Sequence, residues 1–282
     1  MFQELVDLYS RNCVVDTADQ RLEALPLHKT CPRCKDCWGA QEVVQSACFD
    51  KWNRISLPYV GPGFAATPKR LLIAGQNLNG DGGLLEVQGL AVHALCLLSR
   101  GVKKIRFGNP ASVYRGSLFW HRMATYSAIV LRSDWEITGN SVTIGGNNIA
   151  DNAAILAEAM ESIAFLNMIK CSPPDERSKP FQEMWNWCPR TFAYKEIEIL
   201  DPGTLIVLGK DAIYPLKNST KIQTTEVDTT GAGKVSLHLV HFSQRRIPAF
   251  NIVHPTAPGG SDGKLISYLA EMVEKNKGVL TA

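Results

Sequence analysis

From Lys69 onward the chain alternates short, almost unbroken apolar runs with longer amphipathic ones, and no other feature restricts its fold as much. RLLIAG, VKKIRFG, IAFLNMI and TLIVLG read as strands, while GGLLEVQGLAVHALCLLSR, SLFWHRMATYSAIVLRS and AAILAEAMESI read as helices. A strand that is apolar at every position must be covered on both faces. Helices between such strands supply the crossovers that parallel pairing requires. The expected class is therefore α/β, a three-layer α/β/α sandwich around a central, mainly parallel sheet. A Trp-rich helix follows KCSPPDERSKP, the strands VSLHLVHF and IPAFNIV come later, and GKLISYLAEMVEKN closes the chain as a helix. Ser133–Ala150 reads as a polar, Gly/Asn-rich stretch, and Lys210–Lys234 as a less regular segment. Without an internal repeat or a long linker, residues 1–282 are expected to form one domain, with 1–68 as an N-terminal extension.

Composition narrows the class of function. The 282 residues are 45% apolar and 20% charged with a net charge of +3, the profile of a soluble globule that tolerates nucleic acid without demanding it. The longest apolar runs fall short of a membrane span. The opening MFQELVDLYSRNCVVD carries acidic residues at helical spacing where a signal peptide would be basic and then apolar. A cytoplasmic protein, monomeric and without a membrane partner, is the expectation.

In an open parallel sheet, ligands bind beyond the carboxyl ends of the strands. Three strand ends here carry polar groups: LLIAGQNLNG delivers Gln76, Asn77 and Asn79, IAFLN ends in Asn167, and FNIV runs into His254 of HPTAPGG. A turn accounts for each amide taken singly, since Asn and Gly accept positive φ. Together, with a His-Pro entering a Gly/Pro loop, they point to a site.

The eight cysteines of a cytosolic chain suit metal ligation better than disulfides. Cys31, Cys34 and Cys37 form C-x2-C-x2-C, and Cys171 (CSPP) and Cys188 (CPR) each adjoin a proline turn far downstream. Two thiolates from each region would suit zinc or a [4Fe-4S] cluster. Cys13, Cys48 and Cys96 follow an apolar periodicity and read as core. TTGAGKVS is similar to a phosphate-binding loop, but Asp228 and Val235 break the G-x4-G-K-[ST] pattern, leaving a glycine turn ahead of a strand.

Taken together these loops resemble the uracil-DNA glycosylase superfamily, most closely its iron-sulfur branch. FLNMIKCSPPDERSKP with its later cysteine is similar to that branch's LTNVVKCRPP-type segment, LIVLGKDA to the strand after it, HPTAPGG to the HPSP motif, and GQNLNG stands where the first catalytic motif falls. The resemblance runs from Cys31 to the last helix, with an insertion over roughly Phe107–Ser162. It implies a uracil-DNA glycosylase-like fold and a monofunctional enzyme that flips a uracil-like or modified base out of DNA and hydrolyses its glycosidic bond. In that scheme Asn77, with Gln76 beside it, orients the attacking water. Asn167 reads the extruded base, flanked by Gly75 and Asn79, and His254 stabilises charge on the departing base. Cys34, Cys171 and Cys188, with Cys31 rather than Cys37, would hold a structural [4Fe-4S] cluster, zinc being the alternative. Lys179, Arg190, Arg245 and Arg246 are the candidate phosphate binders, and Thr256 lies in the wedge loop after His254.

The chain also departs from that pattern. Where the iron-sulfur branch has a Glu it has Gln76, the first motif carries Leu78 in place of a proline, and an Asn at 77 cannot serve as a general base. Uracil-excising relatives place a stacking Phe a dozen residues after the first motif, yet no aromatic occurs here between Phe64 and Phe107. Phe119, Trp120 and Tyr126 of the insertion are candidates to replace it. A more open pocket suggests a bulky hypermodified base, such as glucosylated hydroxymethylcytosine of phage DNA, and hence a defence glycosylase. A catalytically weak module that binds damaged DNA is the remaining expectation.

Overall fold

The computed structural model describes residues 58–76, 115–170, 182–209, 211–219, 222–242, 244–254 and 262–280, with a few positions before residue 25. Near the N-terminus β1 (Val15–Asp16) pairs with β2 (Glu23–Ala24). The remaining strands are β3 (Tyr59–Val60), β4 (Leu71–Gly75), β5 (Glu136–Thr138), β6 (Ser141–Ile144), β7 (Asn147–Asn148), β8 (Ile163–Asn167), β9 (Thr204–Leu208), β10 (Gln223–Thr230), β11 (Val235–Phe242) and β12 (Arg245–Ile252). Helices α1 (Arg115–Leu131), α2 (Ala153–Glu161), α3 (Gln182–Cys188), α4 (Tyr194–Leu200), α5 (Tyr214–Lys217), α6 (Asp262–Lys275) and α7 (Lys277–Leu280) complete the described elements.

Seven strands hydrogen-bond in the order β10-β11-β12-β9-β4-β8-β3, which confirms an α/β class with a mixed central sheet. β4, β8 and β9 are buried at every residue, as their unbroken apolar runs require. Their directions follow from the hydrogen bonds at their ends. Gly203 N donates to Arg70 O just ahead of β9 and β4, and Met168 N donates to Gly75 O just past β8 and β4, so neighbouring strands start or finish side by side and run parallel. β12 joins β9 in parallel register. The flanks are antiparallel: β10, β11 and β12 pair as hairpins, and Gly61 N to Ile163 O with Gly63 N to Glu161 O sets β3 against β8.

Two segments read as irregular turn out to be sheet. QTTEVDTT is β10, an edge strand whose residues are mostly exposed, and residues 136–148 form the three-stranded meander β5-β6-β7. Strands with little burial show no apolar alternation, so periodicity passes over them. TTGAGKVS is the hairpin turn between β10 and β11, not a phosphate loop. Gly231 has φ +61°, and a Cβ there would come within 2.4 Å of the Tyr268 ring.

The chain groups into two compact units, one of residues Met1–Tyr59, Ala74–Leu90 and Phe165–Asp201 and the other of Val60–Ile73, Ala91–Ala164 and Pro202–Ala282. In the second, α1 packs against α2 and α6. Asn152 caps α2 by accepting from Ile155 N at 3.2 Å. The last carbonyls of α1, which lack partners within the helix, are met by side chains: Lys69 Nζ donates to Val130 O, and Trp135 Nε1 donates to Ile129 O at 2.9 Å and Arg132 O at 3.1 Å. Among the described residues no helix is long and apolar enough to cross a membrane.

Candidate functional site

In the first unit, the ends of β4 and β8 stay paired beyond the strands, with Met168 N donating to Gly75 O and Ile169 N to Gln76 O, each at 2.9 Å. This pairing presents the Asn167 side chain against Gly75. Asn167 is 1% exposed, and a Cβ on Gly75 would lie 2.6 Å from its Oδ1 and 3.2 Å from the Phe165 ring. Only glycine leaves that approach open. Gln76 is half-buried beside them. The structure therefore brings Gly75, Gln76 and Asn167 together, while Asn77 and Asn79 lie outside the described residues.

Just past Asn167, Lys170 and Glu196 of α4 form an ion pair with both side chains fully buried. Burial pushes the Lys170 ammonium down to about 7, with the Cys188 sulfur opposing the shift, and drives the Glu196 carboxyl well above its ordinary range. Both charges are penalised in a dry site, so the two groups stand or fall together. Cys188 closes α3 at 4% exposure, followed by one π-helical turn, Pro189–Ala193. Cys31, Cys34, Cys37 and Cys171 lie outside the described residues. Among the described residues no three His, Cys, Asp or Glu side chains cluster as metal ligands.

In the second unit, His254 follows β12 and its position is set by the strand end. Asn251 Nδ2 donates to Val207 O at 3.1 Å and Gly209 O at 3.0 Å, Gly209 N donates to Ile252 O at 2.7 Å, and Val253 N donates to Lys234 O at 3.0 Å. The imidazole stacks on Phe119 of α1 with ring centroids 5.6 Å apart and planes 24° from parallel. Burial, and then the nearby Arg122 guanidinium, hold its pKa below the ordinary histidine value, so it is neutral at pH 7 and can donate one N–H. Arg122, one turn along α1 from Phe119, is 7% exposed. His121 points elsewhere, with Nε2 donating to Ala150 O at 2.8 Å.

Of the expected phosphate binders, Arg190 is exposed in the first unit. Arg245 and Arg246 are exposed at the start of β12, and nine residues of extended chain, about 30 Å, separate Arg245 from His254. The structure does not bring them to the histidine. Lys179 and Thr256 lie outside the described residues. Of the aromatics expected in the insertion, Phe119 reaches His254, Tyr126 is buried further along the same helix, and the Trp120 side chain is not among those described. Arg122 and Asn251 were missed: a lone Arg in an amphipathic helix and a lone Asn in a strand carry no spacing signal. A cavity of about 210 Å³ lies at the other end of α1, lined by Thr67, Lys69, Arg132, Glu158 and Ser162 among others. Its cations already have partners, Lys69 in Val130 O and Arg132 in Asp134 and Glu158.

Comparison with protein-family models finds no match to this chain, and comparison with curated proteins finds none either.

Proposed function

We propose that this chain is a monofunctional DNA glycosylase that extrudes a uracil-like or modified base and excises it by hydrolysis. The observation carrying this reading is the neutral, half-buried imidazole of His254 fixed at the carboxyl end of a strand and stacked on an aromatic ring. In the hydrolysis a water oxygen bonds to the sugar C1′, the C1′–N bond breaks, and its electron pair leaves with the base. The water gives up a proton to solvent. A neutral imidazole N–H donated toward the base oxygen stabilises the developing anion by hydrogen bonding while keeping its own proton. Asn167 is suited to hold the base, since its amide offers both a donor and an acceptor and its burial leaves it little freedom to turn away. Extrusion costs a few kcal/mol, offset by pocket and phosphate contacts.

The residues fit a structural cluster in one respect: Cys188 is a buried thiol within the field of the Lys170 amine, and thiolate ligation favours a nearby cation. With Cys34, Cys171 and Cys31 or Cys37 it would hold [4Fe-4S], which would brace the fold, since base hydrolysis moves no electrons.

A second reading of the substrate rests on the stretch after the first motif. No aromatic lies between Phe64 and Phe107 to wall a snug uracil pocket, and an opener pocket would admit a bulky hypermodified base of phage DNA and make this a defence enzyme, whereas Phe119 beside the histidine would rebuild that wall for a small base. The test is to incubate the protein with a uracil oligonucleotide, an unmodified control and glucosylated genomic DNA, then count abasic sites with an aldehyde probe, alongside Asn77→Ala and His254→Ala. Sites in uracil DNA alone support the first substrate, and sites in the glucosylated genome alone support the second. Their absence from all three sinks the glycosylase and leaves a DNA-binding module.

A further inference from the structure

We propose that Arg122 is a second anion-stabilising residue of the His254 site, so that the face of α1 bearing Phe119, Arg122 and Tyr126 forms a receptor for a planar heterocycle carrying negative charge. The inference rests on the glycosylase reading only for the identity of that heterocycle, the departing base.

Three observations carry it. Residues 119, 122 and 126 fall at i, i+3 and i+7, which puts them on one stripe of a helix. Phe119 fixes where the stripe points, because its ring stacks on the imidazole of His254 with centroids 5.6 Å apart and planes 24° from parallel. A flat surface one turn from a guanidinium is the arrangement that grips a planar anion, with stacking below and charge alongside.

Secondly, Arg122 is 7% exposed, so its charge acts through protein rather than through water. Its field reaches both histidines near it, disfavouring protonation of His254 and of His121, while Asp151 acts on His121 in the opposite sense. Keeping His254 neutral this way gives a division of labour: the imidazole donates a hydrogen bond and the guanidinium supplies the charge. An imidazolium would supply both, but burial and the neighbouring guanidinium disfavour it here.

Thirdly, the Tyr126 hydroxyl, in a residue 1% exposed, has no hydrogen-bond partner among the described residues. Burial raises its pKa to about 12, and Arg122 only partly offsets this, so the hydroxyl keeps its proton and remains a donor. A buried hydroxyl without a partner costs about 1–3 kcal/mol. A ligand acceptor or a water held with it would remove that cost.

The experiment uses the full chain with its histidines labelled, following the His254 imidazole by NMR at pH 7, the signal assigned by its loss in His254→Gln. The probes are barbiturate, a pyrimidine that is an anion at neutral pH, and uracil, its neutral counterpart. Barbiturate is expected to bind at least tenfold more tightly than uracil. Arg122→Met should abolish that preference and Arg122→Lys should keep part of it, so a misfolded Met variant does not decide the matter. Phe119→Leu should weaken both probes alike. Equal binding of the two probes to the unaltered protein, or a preference that survives in Arg122→Met, overturns the proposal. An anion preference without abasic sites in any DNA would remove the glycosylase and leave the anion receptor standing. Abasic sites without an anion preference would do the reverse.

Discussion

Replacing Glu196 with Leu keeps roughly the volume of the side chain and leaves the Lys170 amine without the carboxylate it pairs with, in a place where both partners are fully buried. Breaking a buried pair from one side costs about 3–5 kcal/mol. With about 2.1 cal/mol/K of unfolding entropy per residue over 282 residues, that cost lowers the melting temperature by about 5–8 °C. Lys170→Met should cost a similar amount, because it strands the carboxyl. The double variant Lys170→Met/Glu196→Leu strands neither group and should return to within about 1 kcal/mol of the parent, well short of the summed single effects. Urea unfolding followed by tryptophan fluorescence and by circular dichroism measures all four proteins. Single variants within about 1 kcal/mol of the parent would mean that water reaches the pair. A double variant as unstable as the sum would mean that the side chains contribute through packing alone.

Gly75→Ala puts a methyl group 2.6 Å from Asn167 Oδ1 and is expected to lower excision rate at least tenfold while costing about 1–3 kcal/mol of stability; single-turnover kinetics beside a melting curve separate the two, and an unchanged rate would remove Asn167 from the pocket. His238, fully buried on β11 with Ser236 Oγ 2.8 Å from Nε2, has its pKa lowered to about 4 by burial and the Lys217 charge. The unfolded chain takes up this proton first, near pH 6.5, so stability should fall by about 3 kcal/mol between pH 6.5 and pH 4, and His238→Gln should flatten that limb in urea titrations at stepped pH. Cys188→Ser is expected to reduce bound iron and sulfide in protein purified without oxygen, together with the brown absorbance near 400 nm; a full complement of iron in that variant would exclude Cys188 as a ligand.

The parallel core was legible because β4, β8 and β9 are buried on both faces, which writes an unbroken apolar run into the chain. The polar β10 and the meander β5-β6-β7 were not legible, since a strand touching solvent over most of its length has no reason to alternate. Of the candidate residues, those at strand ends, Gln76 and Asn167 in the first unit and His254 in the second, were legible because glycine and polar residues interrupt apolar runs there. What stayed hidden came from elsewhere in the chain. Arg122 acts on the histidine from a helix that sequence ties to it by no motif, and the Asn251 bridge depends on the carbonyls of Val207 and Gly209, more than forty residues away. Glu196 looked like any acidic residue of an amphipathic helix until its partner was known. The basic pair Arg245–Arg246 misled in the other direction: proximity to His254 along the chain became distance once the intervening residues were extended.

The clamp of Lys69 and Trp135 on the last carbonyls of α1 makes that helix a cantilever, gripped at one end and working at the other. The anchorage lies about three turns from Phe119 and about two from Arg122, so exchanging those two positions leaves the hydrogen bonds of the mount itself untouched. Libraries randomised at 119 and 122, with 69 and 135 held fixed, are where a search for altered base preference should begin.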